Sequence, residues 1–80
     1  KRAVVAVKIR INSLKDWLNI RNRLDGVAVI RSSDLVLLSL DEARVNLHYI
    51  GEPGQLALAL EQTDLKIFRE GDGWVLELGK

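Results

Sequence analysis

One pattern occurs twice in this chain and constrains its fold more than any other feature. Val7, Ile9 and Ile11 alternate with Lys8 and Arg10, and Val45, Leu47 and Tyr49 alternate with Asn46 and His48. A helix-like segment follows each run. A second apolar segment comes next, Val27-Ala28-Val29 in the first copy and Leu65-Lys66-Ile67 in the second. Val45 follows Val7, and Leu65 follows Val27, at the same offset (45 − 7 = 38; 65 − 27 = 38). Alternation with β-branched residues marks a strand with one buried face. Two β-α-β units of equal length therefore predict a small α+β sandwich.

The first strand is expected over Ala3 to Ile11. Ser13 reads as a helix N-cap, with Asp16 three residues on. Leu14, Trp17, Leu18 and Leu24 lie at helical spacing and are expected to face the core. Asp25-Gly26 ends the helix, with Gly26 suited to a left-handed cap. Val27 to Leu40 is long for one strand. Its apolar residues change parity between Val27/Val29 and Val36/Leu38/Leu40, which calls for a bulge or kink near Ser32-Ser33-Asp34. A turn at Asp41-Glu42 would pair Leu38 with Val45 and Val36 with Leu47, leaving Leu35 and Leu37 on the opposite face. Gly51-Glu52-Pro53-Gly54 breaks the next strand, and a short helix follows from Gln55 to Gln62. Leu65 to Arg69 and Trp74 to Leu78 then form strands around a Gly71-Asp72-Gly73 turn.

The expected order is β-α-β-β-α-β-β. Right-handed crossovers turn it into a ferredoxin-like sandwich, an antiparallel sheet with both helices on one face. The last strand is expected as an added hairpin partner to the fourth. The 80 residues are enough for one domain, 1–80, and 48% apolar against 29% charged residues is a globular balance. The chain begins at Lys1 and contains no Met, as expected of a domain excised from a longer protein.

Composition removes several function classes. There are no cysteines, which excludes disulfides, thiolate metal sites and cysteine nucleophiles. A net charge of +1 argues against a general polyanion binder. No apolar run is long enough to cross a bilayer, so membrane insertion is not expected. The lone His48 has no Cys or second His beside it, and no metal, cofactor or catalytic group is expected.

Two surfaces remain as candidates. Lys8, Arg10, Arg44, His48 and Lys66 should share the open sheet face with the aromatic Phe68, a combination that suits a phosphate backbone or a stacked base. Nucleic-acid recognition by a sheet would place aromatics on its central strands, and the outward positions there carry none. A solvated face with cross-strand charge pairs is the favoured reading, with a glycan such as peptidoglycan, or nucleic acid, as the alternative ligand. The second candidate is the long second strand, an expected edge carrying Leu35 and Leu37. An unprotected edge accepts a strand from another domain of the parent protein, a protein partner or a second copy in a homodimer. A non-enzymatic interaction or assembly domain, docking through this edge or the open face, is the function expected first.

The runs Val7-x-Ile9, Ser13-Leu14-x-Asp16-Trp17, Leu24-x-Gly26-Val27, Val45-x-Leu47-x-Tyr49-x-Gly51 and Gly73-Trp74-x-Leu76, with Leu56 and Leu60 between them, carry a resemblance. They resemble the C-terminal part of an uncharacterised proteobacterial family of exported proteins, the domain of unknown function 2066. The resemblance covers most of the chain. It implies a bacterial periplasmic or cell-envelope location and supplies no catalytic residue.

Overall fold

The computed structural model describes residues 2–79. Among them, β1 (Arg2–Arg10), α1 (Leu14–Asp25), β2 (Ile30–Leu38), β3 (Glu42–Ile50), α2 (Pro53–Glu61), β4 (Leu65–Glu70) and β5 (Gly73–Leu78) follow in the expected order. Ser13 caps α1, its Oγ accepting from the Asp16 backbone N–H. The Asp16 carboxylate in turn accepts from the Asn12 N–H at 2.8 Å. α1 closes without a left-handed residue. Gly26 has φ −89° and donates its N–H to the Arg23 carbonyl, and the Val27 N–H donates to the Leu24 carbonyl. Pro53 opens α2, and the Gln55 side chain reaches back to accept from the Glu52 N–H at 2.7 Å. Gly51, at φ 107°, supplies the turn that brings the chain into this cap.

The five strands form one mixed sheet in the order β2-β3-β1-β5-β4. β1 and β3 are antiparallel neighbours, and Val7 lies directly opposite Val45. Equivalent residues of the two repeats thus meet at the middle of the sheet. The outer order differs from the ferredoxin-like expectation. β5 runs parallel to β1 and lies between β1 and β4, so β4 becomes an edge and the sheet is not antiparallel throughout. The reason is in the side chains. β5 buries Leu76 on the helix side and Val75, only 2% exposed, on the other. A strand apolar on both faces belongs inside a sheet, whereas β4 carries Lys66, Arg69 and Glu70 and tolerates an edge.

Both helices supply one core. Trp17, Ile20 and Leu24 of α1, and Leu56 and Leu60 of α2, pack on Val7, Ile9, Val45, Leu47, Leu65 and Leu76. α1 sits rotated from its expected setting. It buries Ile20, while Leu14 is 59% exposed and Leu18 is also open to solvent. Val27 is buried but precedes β2, which begins only at Ile30.

β2 departs most from expectation. It has two register irregularities, between Ile30 and Ser32 and between Leu35 and Leu37. The first lies next to the expected kink, and the second was not foreseen. The β2–β3 turn also falls one residue earlier than Asp41-Glu42. The Ser39 N–H donates to the Glu42 carbonyl at 2.9 Å and the Glu42 N–H donates to Ser39 Oγ. Leu38 therefore opposes Ala43, and Leu35 opposes Val45. Directly opposed residues share a face, so Leu35 and Leu38 lie on the helix side and Leu37, opposite Arg44, lies on the open side. Leu35 does not join Leu37 on the open face, because the bulge at Val36 absorbs the parity change between them.

Candidate functional site

The open sheet face collects the expected basic residues but pairs them. Lys8 and Arg10 from β1, Arg44 and His48 from β3, and Lys66 and Phe68 from β4 share this face by strand parity and register. Arg10 holds Glu70 across β5. Arg44 Nε lies 2.7 Å from Glu42 Oε2, and Lys66 Nζ lies 3.4 Å from Glu77 Oε2. His48 Nε2 meets Asp34 Oδ2 at 2.9 Å. Lys8 is the one cation of this set without an acidic partner among the described residues. The aromatic is also engaged, since Lys66 Nζ stands 5.7 Å from the Phe68 ring centroid. Phe68 lies on the far edge strand, with β5 between it and the β1–β3 basic residues. Between the two groups, Lys8 and Phe68 are the cross-strand neighbours of Val75. A shallow depression of ≈ 400 Å³ touches Ala6, Lys8, Arg44, Asn46, Glu70 and Val75. Its rim carries both signs of charge.

His48 has a second neighbour, since Ser32 lies directly opposite it in the β2–β3 register. Serine, histidine and aspartate thus meet at the β2 bulge, a grouping that local spacing in the sequence did not reveal. His48 and Asp34 side chains are both substantially exposed, and Asp34 engages Nε2 of the ring. No cluster of three or more metal-ligating side chains occurs among the described residues.

The β2 edge is the other candidate, and here the apolar groups are unpaired. Leu35, Val36, Leu37 and Leu38 are 42–62% exposed, and Leu40 in the following turn is 92% exposed. Leu14 joins them from α1. It lines a groove of ≈ 630 Å³ together with Asn12, Ser13, Leu38, Ser39 and Leu40. Leu18 lies one helical turn further along the same face of α1. In the sequence Leu35 and Leu37 stand out as exposed, while alternation points Val36 and Leu38 to the core and helical spacing does the same for Leu14 and Leu18. Arg21, three positions beyond Leu18 on that face, was the available sign that the stripe points outward.

No family model, curated protein or solved structure matches this chain.

Proposed function

We propose that this chain is an interaction or assembly domain that docks through the β2 edge. The observation carrying this reading is the exposed run Leu35-Val36-Leu37-Leu38 on an edge strand, continued by Leu14, Leu18 and Leu40. Scattered surface leucines need no explanation, but a contiguous apolar band on a strand with unpaired main-chain groups marks a binding surface. The opposite edge, β4, lacks such a band and carries Lys66, Arg69 and Glu70. On the open face the pairing of Arg10, Arg44, His48 and Lys66 with carboxylates leaves little free charge for a polyanion or an acidic glycan, so that reading ranks second. The resemblance to exported proteobacterial proteins makes the cell envelope the proposed compartment.

Site-specific photo-crosslinking in the source cell tests the docking. A photoreactive side chain at Leu37 should give a discrete crosslinked product. The same group at Leu58, exposed on α2, should give none. No product from Leu37, or the same products from both positions, would overturn the assignment.

A further inference from the structure

We infer that the partner seated on the β2 edge is a second copy of this chain, running antiparallel about a two-fold axis near Val36. The inference rests on the docking role proposed for that edge. Three observations converge on it.

The apolar run is self-complementary. A two-fold axis normal to the sheet keeps the faces of both copies in line, so near Val36 Leu37 of one copy meets Leu37 of the other on the open side and Leu35 meets Leu35 on the helix side. A two-fold dimer brings the same patch of both copies together in this way.

Charge then fixes the direction. Arg31 and Asp41 are both exposed, and neither has an ion-pair partner among the described residues. Arg31 lies at the start of β2, and Asp41 lies in the turn that follows its end. An antiparallel copy therefore brings Arg31 of each chain to the Ser39–Asp41 turn of the other. A parallel copy would set Arg31 beside Arg31 and Asp41 beside Asp41.

Size is sufficient. A stable interface takes about 800 Å² from each partner, roughly 15% of the 5261 Å² surface of this chain. β2 has nine residues, an edge about 30 Å long, and the Leu14/Leu18 stripe widens it on the helix side. The bulge at Val36 interrupts any continuous strand ladder between copies, so the leucines carry the contact and the charged ends set its register.

Sedimentation equilibrium over a range from low micromolar to millimolar, with charge-swapped variants, tests this. The wild-type chain should show a monomer–dimer equilibrium. Leu37→Lys should weaken it at least tenfold. Arg31→Asp and Asp41→Arg should each weaken it by about tenfold, because repulsion enters twice per dimer. The double variant should return to within about threefold of wild type. All three side chains are exposed, and thermal melts of the variants should match wild type, which separates loss of pairing from loss of fold. A chain monomeric at every concentration, or a dimer indifferent to all these changes, overturns the inference. Weakening by both single swaps without rescue in the double variant overturns the antiparallel arrangement. A crosslink from Leu37 to a different protein, with a monomeric chain, overturns self-pairing and leaves the docking role standing.

Discussion

Arg10, Arg44, His48 and Lys66 each hold a carboxylate, and this local pairing decides how the open face behaves. Exposed pairs of this kind contribute about 0–1 kcal/mol. A double-mutant cycle on Arg10→Ala and Glu70→Ala, read by denaturant unfolding, should give a coupling energy inside that range. The same neutralisation predicts that single-stranded nucleic acid binds weakly or not at all at physiological salt, and titration at two salt concentrations checks it. Tight binding that falls steeply with salt would reverse the ranking of the two surfaces. Residue identity made the acidic partners visible in the sequence but not their positions. Glu70 meets Arg10 across the intervening β5, and Asp34 meets His48 in the bulged register of β2. Trp17 and Leu14 show the same limit within one helix. Both lie on apolar stripes at helical spacing, but Trp17 is buried and Leu14 is not. Trp17→Ala should cost about 3–5 kcal/mol, whereas Leu14→Lys should change stability by less than about 0.5 kcal/mol.

Elements follow the repeat closely where alternation is strict and depart from it where parity changes. β1, β3, α1 and α2 were legible because period-two and helical patterns are unbroken there, and the Ser13 cap fixed the start of α1. Ser13→Ala should cost about 1 kcal/mol, measured by chemical denaturation. β2 was only partly legible. A bulge moves side chains between faces without changing composition, and the sequence fixes neither how many bulges occur nor where the turn closes. The place of β5 was legible in principle. Trp74-Val75-Leu76 is apolar on three successive positions, which suits a strand covered on both faces, while β4 carries Lys66 and ends on Arg69-Glu70. Amide exchange should therefore rank β5 with β1 and β3 as slow, and β4 with β2 as fast. Slow exchange throughout β4 with fast exchange in β5 would contradict the observed strand order.

At the scale of the molecule, the duplication builds the architecture, and its two departures distinguish the halves. The Val7–Val45 pair sits at the middle of the sheet, and the apolar residues of both copies meet in one core. One departure, β5, protects its side of the sheet by placing a charged strand outermost. The other, the bulged β2, leaves an apolar edge uncovered. The two edges of one small sheet thus behave oppositely, which is why the β2 side is assigned to docking. Hydrogen exchange at β2, followed residue by residue as protein concentration is raised, tests that assignment most directly. Exchange at Leu35–Leu38 should slow with concentration in the wild type, should not slow in Leu37→Lys, and should stay constant throughout β4. Concentration-independent exchange at Leu35–Leu38, or equal slowing in β4, would contradict it.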